Sequence, residues 1–221
     1  MSKRKNPFFF LLGGLLVALL VAPVMTERFP VLAGLMLTVT LIISTFSMSA
    51  SKSTYRLAWW LVAAMIALDV LRFTTRLPGV FIAEAIVLSA FFIVATVFAL
   101  GRVLEGRQVD LNRIAGAISV YMLIGLIWTS LYFALSLIDP QSFKGITLLT
   151  DYQANLASTA YLDLLYYSYV TLSTLGYGDV TPVSRAAQSL AYLEAICGVI
   201  YLAVLVSALV GSYGNAPADK D

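Results

Sequence analysis

The sequence predicts an all-α membrane protein, and three observations carry that reading. Of its 221 residues 60% are hydrophobic and 12% are charged, and the apolar residues come in long unbroken runs. Runs of about 18 or more match the hydrocarbon core of a bilayer at a rise of ~1.5 Å per residue. One shorter apolar stretch, Tyr161 to Ser173, is followed at once by glycine-rich sequence. That is the pattern of a re-entrant segment, whose irregular backbone survives in a membrane only where protein or water covers it.

Taken in order, the runs place helices near Pro7 to Val24, Val31 to Met48, Leu57 to Leu71, Val80 to Leu100, Ile114 to Ile138 and Ala186 to Gly211. The basic tip Lys3, Arg4, Lys5 ahead of the first run has the outline of a cleavable leader. Ala18 to Ala22 offers only a weak cleavage pattern and five spans follow, so the first helix is read as retained. Basic residues then favour cytoplasmic N- and C-termini, with Lys52, Arg56, Arg102, Arg107, Arg113 and Lys220 on the same side as the N-terminus. The stretch Asp139 to Arg185, with Asp139, Asp151, Asp163 and Asp179, falls on the external face, where carboxylates concentrate cations.

Several function classes drop out. A formal charge of +2 gives no nucleic-acid footprint. There is no histidine, and no cluster with the spacing of a transition-metal site. The lone Cys197 reads as a small packing residue. No acid, base and nucleophile come together in the pattern of an enzyme, and no glycine-rich phosphate loop follows a strand.

A pore that passes a dehydrated ion must replace its hydration shell with oxygens stacked in several sites. Backbone carbonyls do this only where successive residues turn them to the same side. Glycine adopts the backbone angles required without steric cost, which gives Gly176 and Gly178 a reason to alternate with larger residues. The whole stretch Thr171-Leu172-Ser173-Thr174-Leu175-Gly176-Tyr177-Gly178-Asp179 resembles the signature of tetrameric pore-loop potassium channels, here of the six-span prokaryotic type. The resemblance implies a selectivity filter of Thr174, Leu175, Gly176, Tyr177 and Gly178, with potassium as the permeant ion. Filter support falls to Asp179, Thr171 and Glu194, and Tyr177 is expected to pack against Tyr166 or Tyr167. Since one loop cannot ring an ion, the implied assembly is a homotetramer.

The pattern departs from the family at Leu175, where many members have valine, and at Val170, where some place a buried carboxylate. Thr181 stands at a mouth position that is aromatic in some relatives. In the last helix Gly198 reads either as a hinge or as a small residue for close packing. Val199, Leu202, Val206 and Val210 are expected to line a cavity and an apolar gate.

A voltage sensor needs a fourth helix with arginines at every third position. Val80 to Leu100 holds none, and its one charge is Glu84. Asp69, Arg72 and Arg76 share a helical face and read as an ion pair with an interfacial anchor. The expectation is therefore a four-helix domain over residues 1–110, a pore domain over 111–213 and a polar tail over 214–221, in a prokaryotic cell membrane and in contact with lipid. It is expected to conduct potassium passively without voltage gating, and no appended sensing domain is expected after the last helix, which leaves room for a separate regulatory protein. A nonselective cation channel and a channel-like sensor or scaffold are the alternatives that share the fold.

Overall fold

A computed structural model describes residues 7–28, 52–75, 77–105, 110–147 and 154–213. It contains α1 (Pro7–Arg28), α2 (Lys52–Thr75), α3 (Pro78–Glu105), α4 (Leu111–Ile138), β1 (Phe143–Lys144), α5 (Ala154–Leu172), β2 (Thr181–Pro182) and α6 (Arg185–Tyr213). The expected second span, Val31 to Met48, lies outside the described residues. The described residues are thus mostly helical, as expected of a membrane protein built from apolar helices. Among the described residues three helices are long and apolar enough to cross a bilayer, over Gly79–Leu104, Leu111–Ile138 and Arg185–Ala208. The apolar stretch of α1, Phe8–Val21, is shorter.

The helices run past their hydropathic limits, because hydropathy registers only the apolar part while backbone hydrogen bonding continues to polar ends. The correction is largest at α5, which begins at Ala154 instead of Tyr161 and has 19 residues. Length alone therefore does not make it re-entrant. Its composition sets it apart, with Asp163 and four tyrosines along it, and it is not among the helices apolar enough to cross.

α4 is the spine, packing along α1, α3, α5 and α6. Asp110 caps its first turn by accepting from the Arg113 amide at 2.8 Å, satisfying an amide that lacks an intrahelical partner. Phe8, Leu11, Leu15 and Ala18 are buried at helical spacing and form the inner face of α1. That helix begins beside the start of α4, where the Phe8 amide donates to Asn112 Oδ1 at 3.1 Å. Ala58, Val62 and Met65 do the same for α2, which packs on α3. Hydroxyls within the apolar packing bond back to their own helices, as Ser119 does to the Ala115 carbonyl at 2.7 Å and Thr129 to the Gly125 carbonyl at 2.8 Å.

Arg72 near the end of α2 meets Asp69 at 3.3 Å and reaches across to Glu84 of α3 at 3.2 Å. The pairing of Asp69 with Arg72 was legible from their spacing, whereas the contact to Glu84 depends on how α3 folds back. Arg76 lies outside the described residues.

α6 differs from the other long helices. Only 11% of its most apolar stretch is buried within the chain, against 56% for α4. Leu193, Ile196, Val199, Ile200, Val204 and Val206 are all exposed, and an apolar surface of this extent requires lipid or protein against it.

Candidate functional site

α5 ends in a turn that aims the following loop. The Leu175 amide donates to the Val170 carbonyl at 2.9 Å and the Thr174 amide to the Thr171 carbonyl at 2.9 Å. These two bonds are the Schellman arrangement, which puts a left-handed residue just past the helix and usually places glycine there. Here the residue is Thr174, with φ of 59°. It is the one non-glycine residue with positive φ among those described. For a β-branched side chain this conformation is strained by about 1–3 kcal/mol, and the Gly176 amide, also directed at the Val170 carbonyl at 3.3 Å, helps to hold it.

The left-handed angle recurs at alternate positions. Gly176 has φ of 60° and Gly178 of 80°, while Leu175 and Tyr177 between them do not have positive φ. Alternating backbone handedness gathers successive N–H groups on one side, as in anion-binding nests, and so gathers the carbonyls on the other. Among the described residues no donor bonds the carbonyls of Thr174, Leu175, Gly176 or Tyr177. A β-carbon at Gly176 or Gly178 would meet nothing within 4 Å, so it is the backbone angle that calls for glycine there.

The far end of the loop is tied down by side chains. The Tyr177 ring stacks on Tyr166 with centroids 6.5 Å apart and planes 6° from parallel. The Tyr166 hydroxyl donates to Asp179 Oδ2 at 2.8 Å, and Asp179 Oδ1 accepts from the Val180 amide at 3.0 Å. The Tyr166 hydroxyl, with backbone amides in support, holds the exposed Asp179 carboxyl below its ordinary value of 3.8. Of the two tyrosines considered from sequence, Tyr166 is therefore the one at Tyr177. Tyr167 is buried and turned away, edge-on to Tyr132 at 5.1 Å and to Phe143 at 5.5 Å.

Beyond Asp179 the chain forms a two-residue ribbon, Phe143 opposite Pro182 and Lys144 opposite Thr181. Gly145, at φ of 87°, lies so close to the Asp179 carbonyl that a β-carbon would overlap it. Asp163 of α5 accepts from the Thr147 amide at 2.8 Å. The segment after α4 is thus fastened to both α5 and the loop.

Behind α5 sits Glu194 of α6, fully buried. Its Oε2 is 2.6 Å from the Tyr132 hydroxyl of α4 and its Oε1 is 2.5 Å from the Ser168 hydroxyl of α5. One turn on, a β-carbon at Gly198 would overlap the carbonyl oxygen of Leu172, the last helical residue of α5. Close approach accounts for this glycine, and α6 continues as helix through it. Val199, Leu202 and Val206 are exposed on α6. Val210 follows on the same helix, with its side chain outside the described residues.

Residues 141–213, which include α5, the loop and α6, match the model of a family described as Ion channel. The match covers about a third of the chain, and the curated relatives that align over the same part are potassium channels. The chain is 34% identical over 59 residues to the inward rectifier potassium channel Kirbac3.1 of Paramagnetospirillum magnetotacticum, which is 27% of this chain and 20% of that protein. It is 38% identical over 69 residues to Two pore potassium channel b of Oryza sativa subsp. japonica, 31% of this chain and 18% of that protein. To Two-pore potassium channel 4 of Arabidopsis thaliana it is 29% identical over 86 residues, 38% of this chain and 30% of that protein. The chain thus spans less than a third of the length of each of these relatives. No solved structure matches it.

Sequence reasoning missed three features of this segment and its surroundings. The left-handed Thr174 carries no glycine to announce it. Tyr132 and Ser168 lie 62 and 26 residues from Glu194, and only the fold brings them together. A hydroxyl in the short apolar helix was the one available hint of Ser168. The ribbon of β1 and β2, two residues on each side, is too short to leave a pattern.

Proposed function

We propose that the chain is a subunit of a homotetrameric, potassium-selective channel, and that Thr174 to Gly178 form its filter. The observation that carries this reading is the alternation of φ from Thr174 to Gly178, which gathers a row of carbonyls that no donor among the described residues engages. Four such rows around one axis would replace the hydration shell of an ion at several stacked sites. The Thr174 hydroxyl adds an oxygen at the inner end. Tyr166 and Asp179 brace the row from outside and Thr171 anchors the turn that starts it.

The remaining assignments follow from this one. Residues 1–110 form a peripheral helical domain and 111–213 the pore domain, with both termini in the cytoplasm. The exposed apolar surface of α6 meets lipid and the other subunits. Val199, Leu202, Val206 and Val210 fall on one face of α6 at helical spacing, where four copies would make an apolar constriction that gates by dewetting. Voltage gating is not part of the proposal. The α3 segment Val80 to Leu100 has no arginine, and Arg72 already faces two carboxylates.

Potassium flux into liposomes containing the purified protein tests the proposal. Barium-sensitive uptake is expected in the wild type, with its loss in Gly176→Ala, whose β-carbon disfavours left-handed φ by about 1–2 kcal/mol. A wild type without such uptake would leave a channel-like sensor or scaffold as the better reading.

A further inference from the structure

The Glu194 site contains one oxygen contact too many for an ionised carboxylate. Ser168 Oγ lies 2.5 Å from Glu194 Oε1 and 2.8 Å from the carbonyl oxygen of Gly125. Both are hydrogen-bond distances. A serine hydroxyl has one hydrogen, a carbonyl oxygen has none, and a carboxylate has none. Whichever way the Ser168 hydrogen points, the other contact would set lone pairs against lone pairs. Tyr132 cannot supply the missing hydrogen, because its own is committed to Glu194 Oε2 at 2.6 Å.

We infer that Glu194 is held as the neutral acid, donating from Oε1 to Ser168, and that in this form it positions α5 between α4 and α6. The hydrogens then run one way: Tyr132 donates to Glu194, Glu194 to Ser168, and Ser168 to the Gly125 carbonyl. Every contact has its proton. The surroundings agree with the count. Glu194 is fully buried, and the ion pairs of Arg72 lie in a different part of the fold. Among the described residues the titratable groups around Glu194 are Tyr121 and Tyr132 of α4, Tyr167 and Tyr169 of α5, and Cys197 of α6, none of them a cation. A buried carboxylate facing no positive charge is costly, and keeping its proton removes that cost.

The consequence for the loop is geometric. Glu194 and Gly198 are four residues apart on one face of α6. The first holds α5 at Ser168 and the second lets α6 lie against the Leu172 carbonyl, where α5 ends. The helix that presents the filter is therefore fixed at two points along the inner helix. This effect on conduction rests on the reading of the loop as a filter, whereas the proton placement does not.

Glu194→Gln discriminates the two protonation states. A glutamine amide accepts through its oxygen and donates through its nitrogen, so it repeats the pattern of the neutral acid and not that of a carboxylate. Infrared difference spectra of wild type minus Glu194→Gln at neutral pH should show the carbonyl band of a protonated carboxyl group. Glu194→Gln should keep the thermal unfolding midpoint and potassium flux of the wild type, while Glu194→Ala should lose both. Carboxylate bands alone in the difference spectrum, or Glu194→Gln as damaging as Glu194→Ala, would overturn the inference. A protonated-carboxyl band in a wild type that conducts no potassium would uphold the proton placement and instead count against the channel reading.

Discussion

The hydroxyl of Tyr166 donates to Asp179 at 2.8 Å while its ring lies parallel to that of Tyr177, so one side chain fixes both the outer residue of the loop and the acid that follows it. Because the bond holds the Asp179 carboxyl below 3.8, it contributes stability above the ordinary aspartate range. That contribution is lost as pH falls through the lower folded-state value. Tyr166→Phe keeps the ring and removes the donor. Flux through the variant is expected to fail at a higher external pH than in wild type, read from liposome uptake across an acid titration. Superimposable acid profiles would show that the hydroxyl does not brace Asp179.

Thr174 bears left-handed strain that its side chain worsens, so its substitutions separate backbone from hydroxyl. Thr174→Gly is expected to unfold at a higher temperature than Thr174→Ala, by an amount equivalent to about 1 kcal/mol. Both should conduct potassium less selectively than wild type, since both lose the hydroxyl. Thermal denaturation in detergent, followed by helical circular dichroism, checks the first part, and equal midpoints for the two variants would contradict it.

At Gly198 the added methyl of Gly198→Ala meets a backbone oxygen, which cannot swing aside as a side chain can. Separation of α5 from α6 is expected, with a loss of about 1–3 kcal/mol from overpacking. A thermal midpoint within error of wild type would mean that the two helices sit farther apart.

Arg72 answers a different question. Its removal in Arg72→Gln leaves Asp69 and Glu84 without their cation, and partly buried carboxylates then destabilise the α2–α3 pair by roughly 3 kcal/mol. The protein that does fold should show the same shallow conductance–voltage relation in planar bilayers as wild type. A steep wild-type relation that flattens in the variant would make Arg72 a gating charge.

Much of the membrane architecture was legible because its signal is local. Uninterrupted apolar runs mark α3, α4 and α6, and the glycines at 176 and 178 mark two of the three left-handed positions between Thr174 and Gly178. Features that depend on distant residues were not legible. Thr174 takes a left-handed angle because its amide and that of Leu175 close onto the end of α5, which composition does not encode. Glu194 stood out as an ionisable group in an apolar helix, but its hydrogen count required Tyr132, Ser168 and Gly125 to arrive from two other helices. Tyr166 and Tyr167 are adjacent in sequence and opposite in role, and only the rotation of α5 decides which one reaches Tyr177.

The reversal potential of the reconstituted protein, with potassium on one side of a planar bilayer and sodium on the other, tests the central claim most directly. A row of backbone carbonyls set by Thr174, Gly176 and Gly178 predicts a reversal potential far toward the potassium equilibrium value and little altered by the sodium concentration. A reversal potential near zero at equal concentrations of the two ions would contradict it.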